Sequence, residues 1–316
     1  MAHEVEKMVY KGEVPWHGLG TPLTGTESFQ QILQLAGLDW TASARSLYLH
    51  ARGADGVSVM EKSEDSKIIV RDSDGQQLGT VGADYKVIQH TDSMRKLVEP
   101  FIQSGKVEIE SAGALRNGRI VWMLAKLKEG VADVTPGDVV KAYLLYATSH
   151  DGSRASATSF TNTRVVCANT LAAADMEGGT QMRIRHRGDV DAATDLVAQT
   201  LNLARQGFDA TIEQYKALSQ LEVNKGDLEK YFRLVFNVPE ETKAEDSRLI
   251  KRLTEIFETA EGQQLAGENM WGAYNAVTHY LTHERGNTRD GRLSSLWLGA
   301  SNLINKKALT LALEPA

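Results

Sequence analysis

The chain has 316 residues, a net charge of −6, and 24% charged against 42% hydrophobic residues. That composition excludes a collagen-like, low-complexity or largely disordered protein, and the length suits one large domain or two ordinary ones. The negative balance excludes a uniformly basic nucleic-acid coat, and the single cysteine, Cys167, excludes an internal disulfide or a cysteine-rich zinc site.

The N-terminal residues lack the basic segment and apolar run of a signal peptide. No stretch reaches the roughly 18 apolar residues of a membrane span. The expected address is therefore the cytoplasm, with no membrane partner. Charge is unevenly spread: residues 111–190 carry a net +3, leaving −9 for the rest. A focused anion site on an acidic protein is compatible with that pattern.

In chain order, residues 1–40 read as an N-terminal arm. The turn-rich Val14-Pro15-Trp16-His17-Gly18-Leu19-Gly20 precedes a short helix capped by Ser28, with Ile32, Leu33 and Leu35 apolar. Residues 41–188 read as an α+β sheet core. Short strands are expected over 46–50, 56–60 and 67–71, then a turn at Asp72-Ser73-Asp74-Gly75 into a strand over 77–81. A helix over 92–103, with Thr91 as N-cap, shows an apolar face of Met94, Leu97, Val98, Phe101 and Ile102. Pro100 should kink or shorten it.

The clearest hairpin joins 107–115 to 120–127 through Arg116-Asn117-Gly118-Arg119, where Asn-Gly suits a type I′ turn. A break over 130–138 leads to a strand over 139–148, and a turn at His150-Asp151-Gly152-Ser153 feeds a strand over 154–160. A helix is expected to start in 164–171 and a strand to run over 180–188. Residues 189–316 read as a helical region, its first long helix marked by Ala193, Val197, Leu201, Ala204, Phe208 and Tyr215. The fold class is thus α+β: an antiparallel sheet with packed helices, followed by a helical C-terminal half.

Five segments carry a resemblance. They are Val14-Pro-Trp-His-Gly-Leu-Gly20, Gly79-Thr-Val-Gly-Ala-Asp-Tyr85, Arg164-Val-Val-Cys-Ala-Asn-Thr-Leu171, Ile184-Arg-His-Arg187 and Trp271-Gly-Ala-Tyr-Asn-Ala-Val-Thr278. Through them the chain resembles the phage/plasmid-like protein family, domain of unknown function 932. That resemblance implies a mobile genetic element protein working inside a bacterial cell, and it implies no activity. The element order from Tyr85 through a helix, an Asn-Gly hairpin, a further strand pair and a second helix is also similar to the core of single-strand annealing proteins of the Rad52 type. This second resemblance is an analogy of order without a shared motif.

The sharpest local feature is Arg183-Ile184-Arg185-His186-Arg187. On a strand, Arg183, Arg185 and Arg187 share one face at about 6.6 Å spacing, which suits an extended phosphate backbone. The alternative is an edge strand paired to Asp189 and Asp191. Arg154 and Arg164 flank a Ser/Thr-rich segment, as phosphate ligands or as a sheet's wet face. Arg285, Arg289 and Arg292 mark a basic, glycine-containing loop that could close on a nucleic acid or simply connect two helices. Tyr85 and Phe160 are candidates for base stacking; Trp122, Tyr143 and Tyr146 are others, or core. His279 and His283 lie four apart on a helix without an HExxH pattern, and Cys167 has no activating neighbour in sequence.

These residues together imply a nucleic-acid-binding protein of a phage or other mobile element. Its partner would be single-stranded DNA, bound or annealed in recombination. No cofactor, metal or catalytic residue is expected, and the long helix over residues beyond 191 could support a homo-oligomer. Two other readings stay open: a hydrolytic enzyme with a site assembled from dispersed His and carboxylates, and a protein-binding counter-defence factor.

Overall fold

The computed structural model describes residues 7–12, 20–52, 58–164, 169–171, 181–183, 193–239, 241, 247–286, 292, 295–297 and 299–314, with backbone only for 51, 169–171, 181–183 and 193–198. Its elements bear out the α+β class: strands fill the N-terminal half and helices the C-terminal half.

Two short strands open the chain, β1 (Met8–Tyr10) and β2 (Thr21–Pro22), followed by α1 (Phe29–Leu35). Ser28 caps α1 as its sequence suggests: its side chain accepts from the Gln31 amide while the Gln31 side chain accepts from the Ser28 amide, a reciprocal capping box. Next comes a three-stranded sheet of β3 (Ala42–Arg52), β4 (Ser58–Arg71) and β5 (Gln77–Gly82). The two short strands expected at 56–60 and 67–71 are one strand. The polar run between them has weak strand propensity, and continuous pairing with β3 overrides it.

The expected helix over 92–103 is two: α2 (His90–Leu97) and α3 (Glu99–Gln103). Pro100, which cannot donate a backbone hydrogen bond, stands in the first turn of α3, so the break falls at Val98. Thr91 lies inside α2 and the cap position is Gln89, without a side-chain cap bond.

The large sheet is built by β6 (Val107–Leu115), β7 (Ile120–Asp133), β8 (Val139–Ser149), β9 (Ala157–Arg164), β10 (Asn169–Leu171) and β11 (Gln181–Arg183), in the order β10-β9-β8-β7-β6-β1-β2, with β11 also on β9. The β6–β7 hairpin is present, but its loop spans four residues, because Leu115 pairs with Ile120. Arg116, Asn117 and Gly118 take left-handed φ of 54°, 56° and 86° in succession. Residues 169–171 are strand where a helix was expected. The edge of β9 supplies hydrogen-bond partners for them from Asn162 to Arg164.

The C-terminal half comprises α4 (Ala193–Ser219), α5 (Lys225–Phe236), α6 (Arg248–Thr259), α7 (Gln263–Ala266), α8 (Met270–His279), a π turn (Tyr280–Glu284) and α9 (Ala300–Leu313). Asn237 ends α5 in the left-handed conformation, two residues before Pro239.

Two-residue alternation puts Met123, Ala125 and Leu127 of β7 on one sheet face, with Val140, Ala142, Leu144 and Tyr146 of β8. Two apolar clusters cover this face. One joins Ala125, Leu127, Val140, Ala142 and Leu144 to the C-terminal helices. The other joins Met123 and Tyr146 to α1, α2 and the small sheet, and Ile102 packs against both. The C-terminal helices therefore share a core with the sheet.

Candidate nucleic-acid interface

β9 has two ends with opposite character. At its C-terminal end, alternation puts Phe160, Asn162 and Arg164 on the helix-covered face, opposite Leu144, Ala142 and Val140. Arg164 is 0% exposed. Its Nε donates to Asp138 Oδ1 at 2.5 Å, and its Nη2 to Asp138 Oδ2 at 2.7 Å and to the Gly262 carbonyl at 2.6 Å. The Trp271 indole N–H donates to the same Asp138 Oδ2 at 2.8 Å, and the guanidinium lies 5.8 Å from the Trp271 ring centroid. Arg164 is thus an internal tie between sheet and helices. The expectation that it contacts phosphate is corrected, because its donors are spent on a fully buried carboxylate. Phe160 packs against the helical core, which corrects its reading as a stacking platform. Trp122, Tyr143 and Tyr146 are buried as well.

At the other end, the turns joining β6 to β7 and β8 to β9 lie side by side. Ile120 pairs with Ser149, and the His150 amide donates to the Arg119 carbonyl at 2.8 Å. A cleft of about 360 Å³ opens here. One wall is Asp84, Tyr85, Lys86 and Ile88; the other is Thr148, Ser149, Gly152, Arg154, Ala155 and Ser156. The hydroxyls order the turn. Ser149 Oγ accepts from the Arg154 amide at 2.9 Å, Thr148 and Ser156 share a hydrogen bond at 2.8 Å, and the Ser153 amide donates to Asp151 Oδ1 at 2.9 Å. Tyr85 is half-buried; its hydroxyl donates to the Ser149 carbonyl at 3.3 Å, and burial, then Asp151, raise its pKa.

The charges at this end act on one another. Burial, then the nearby Arg116, lower the Arg154 pKa, while Asp151 opposes them. Burial pushes the Asp151 carboxyl up, but hydrogen bonds from Ser153 and Ser149 and the charge of Arg116 leave it below the ordinary value. Arg116, Arg119 and Lys86 are exposed. Sequence reading treated the two arginines as turn formers and passed over the lysine. The usable signal was two hairpin turns with arginines whose strands had to be neighbours.

The family segment 79–85 now has a physical role. A Cβ at Gly79 would stand 2.5 Å from Asp151 Cα, so glycine lets β5 press against the turn that carries Arg154. In the segment 271–278, Trp271 holds Asp138, and a Cβ at Gly272 would collide with the Gly267 carbonyl.

A buried histidine pair lies behind the turn. His90 Nδ1 and His150 Nε2 are 3.0 Å apart, and His90 Nε2 lies 2.8 Å from the Leu38 carbonyl. That carbonyl can only accept, so His90 is protonated on Nε2, and His150 donates through its own Nε2. His150 Nδ1 and the Trp40 indole nitrogen are buried without a partner. Burial is the main cause that lowers the His90 pKa to about 4 and the His150 pKa to about 3.

The remaining expected site residues are distributed as follows. The structure brings Arg154 and Tyr85 together on one cleft. Arg183 pairs with Ala157, three residues from Arg154, which places its backbone at the same end of the sheet. Arg185, Arg187 and Arg289 lie outside the described residues, as does Cys167. Arg285 and Arg292 sit before α9, with Arg285 Nη1 on Ser301 Oγ at 3.4 Å and Arg292 Nη1 on the Gly286 carbonyl at 2.9 Å. His279 and His283 have ring centroids 4.6 Å apart at the π turn, and Glu284 is held by Arg252 in a bidentate pair. Among the described residues, no three His, Cys, Asp or Glu side chains are placed to hold a metal ion, and no helix is long and apolar enough to cross a membrane.

The fold and site define an α+β protein with a hydroxyl-floored, arginine-bearing cleft at one end of its main sheet. Residues 77–297 match a domain of unknown function (DUF932), and the chain belongs to that family. No curated protein and no solved structure matches it.

Proposed function

We propose that this protein binds nucleic acid across the cleft between Tyr85 and Arg154. The observation that carries the reading is the convergence of one aromatic ring, one guanidinium and one ammonium (Tyr85, Arg154 and Lys86) on a single open cleft, with Arg116 close enough to act on Arg154. Arginine suits phosphate by its planar fork, and a tyrosine ring offers a base a stacking surface regardless of sequence. Asp84 and Asp151 at the same end repel anions and limit the site to a narrow track.

The finer reading is a single-strand DNA binder or annealer of a phage or other mobile element. It is supported by the order of a helix and two antiparallel hairpins following Tyr85. That order departs from the annealing-protein pattern at residues 169–171, which are strand.

The test is a gel-shift series with single-stranded and duplex oligonucleotides at two salt concentrations. Single-stranded binding that weakens with salt is expected. Replacing Lys86, Arg116 and Arg154 by Ala should weaken it and reduce the slope of log affinity against log salt by roughly 2, since each single-strand phosphate contact contributes about 0.7. Unchanged affinity in the triple variant removes the cleft from the interface.

A further inference from the structure

The two walls of the cleft are joined by a pair of buried rings. The wall of Asp84, Tyr85, Lys86 and Ile88 runs through Gln89 into α2, whose first residue is His90. The opposite wall, from Thr148 to Ser156, contains His150 at the start of the turn that carries Arg154. The contact of 3.0 Å between His90 Nδ1 and His150 Nε2 therefore ties one wall to the other. His90 is 0% and His150 1% exposed, and Trp40 completes the group with ring centroids 4.3 Å and 5.1 Å away. The walls are not equally anchored. On the Tyr85 side, the Gln89 side chain makes two hydrogen bonds to the Ala42 backbone, at 2.8 and 3.0 Å, and Ser93 of α2 shares a hydroxyl hydrogen bond with Tyr146. On the Arg154 side, the Ser153 amide bonds Asp151 and the Arg154 amide bonds Ser149, both within the turn. The turn can swing as a unit without breaking either. The His150 amide on the Arg119 carbonyl fixes it only where β8 ends. Besides the histidine pair, the Tyr85 hydroxyl on the Ser149 carbonyl, at 3.3 Å, and the close approach of Gly79 to Asp151 hold it in place.

The closed pair has no place for a proton. The Leu38 carbonyl holds the hydrogen of His90 Nε2, so a proton added to Nδ1 sets two N–H donors against each other across 3.0 Å. A proton added to His150 Nδ1 creates a buried charge with no acceptor among the described residues; the other unpartnered nitrogen of the group, Trp40 Nε1, is itself a donor. The surrounding charges offset little of this. Asp92 of α2 favours a proton on His90 and Asp151 favours one on His150, but neither bonds an imidazole. Arg71 lies 5.5 Å from the Trp40 ring centroid and is paired to Asp74; Asp39 is exposed, and Arg116 acts on Asp151 and Arg154. Burial raises the pKa of Tyr85 and of Tyr146, which stay neutral, and β5 carries no ionisable side chain.

We propose that the His90–His150 bond is a proton-operated latch on the cleft. With both imidazoles neutral it holds the Arg154 turn against the Tyr85 wall; as protons are taken up, the turn swings away and the two groups part. Burial holds the closed rings at pKa values of about 4 for His90 and about 3 for His150, whereas an imidazole in water titrates at about 6.5. Between these limits protons bind the open form alone, so acid drives opening by about tenfold per pH unit for each histidine. The latch is closed above about pH 6.5 and loosens below it. Its consequence for nucleic acid rests on the function proposed above; the motion itself does not.

The experiment is hydrogen exchange of the full chain without ligand, read by mass spectrometry from about pH 7 to about pH 5 and corrected for the intrinsic pH dependence of exchange. Peptides covering residues 149–154 should open more as pH falls, by about tenfold per unit for each histidine, while β7 stays protected. H90Q and H150Q should each remove about half of that logarithmic slope, with circular dichroism confirming a folded chain. In the unmodified chain, ring-nitrogen NMR at about pH 5.5 should show both imidazoles of the closed form neutral. A flat profile in the wild type, a slope that survives both substitutions, opening of β7 in step with the turn, or a charged ring inside a closed turn overturns the proposal. Oligonucleotide affinity is read separately over the same pH range. Affinity that falls with acid in the wild type and less in H150Q extends the latch to binding. Acid-driven opening with unchanged affinity leaves the latch standing and removes the cleft from the nucleic-acid interface.

Discussion

Arg154 and Arg164 bracket one strand and have opposite environments. Arg164 ends β9 under α8, stripped of water and bound by Asp138. Arg154 precedes β9 on a turn at the open end of the sheet, partly exposed beside Tyr85 and Arg116. Residue type and the Ser/Thr-rich stretch between them are common to both. What differs is cover: the helices that return over the C-terminal end of β9 do not reach the turn. An arginine becomes structural or available according to what the rest of the chain lays on top of it.

The largest expected effect tests the covered end. Replacing Asp138 by Ala leaves the Arg164 charge buried and unpaired, and should cost about 3–5 kcal/mol in denaturant unfolding. The double variant D138L/R164M should recover much of that loss, since well-packed apolar residues can replace a buried pair. A single variant of near wild-type stability would mean that water reaches Arg164, and the contrast between the two ends would fail.

Acid tests the histidine pair behind the open end. Both pKa values are depressed in the folded state, so the unfolded chain takes up protons near pH 6.5 while the folded chain resists. Stability contributed by the neutral pair is fully present above about pH 6.5. It should fall as pH drops, by about 1.4 kcal/mol per pH unit for each histidine. The loss levels off near pH 4 for His90 and near pH 3 for His150. His150→Gln should flatten the pH dependence measured by thermal unfolding; an unchanged profile would show that the pair is solvated.

Gly79→Ala sharpens the comparison at the cleft itself. The new methyl meets the Asp151 backbone, so the turn must shift, at a cost of about 1–3 kcal/mol. Oligonucleotide affinity should drop with it, although Gly79 is not among the residues lining the cleft. The smallest stability effect is expected from Arg154→Ala with Arg116→Ala, under about 1 kcal/mol, because both groups keep access to water. Binding should nonetheless fall. A large loss of stability there would make Arg154 a second structural tie.

Much of the fold was legible because it rests on local signals. The Ser28 cap, the Asn117-Gly118 turn and the apolar period of α4 act within a few residues of chain. Boundaries failed where a distant partner decided. β4 is continuous because β3 pairs with it, and residues 169–171 are strand because the edge of β9 pairs with them. The candidate site was half legible. Tyr85 and Arg154 were expected, but Arg116 and Lys86 join them only because β7 and β8 pair and β5 packs on the turn.

By itself, the sequence determined most element types, the α+β class and a local excess of positive charge between residues 111 and 190, since periodicity, capping and net charge are properties of neighbours in the chain. Which arginines keep their charge in water, and which glycines must be glycine, was decided by tertiary structure. Burial and close approach depend on segments as far apart as Asp138 and Trp271, or Gly79 and Asp151, and no local pattern encodes that distance.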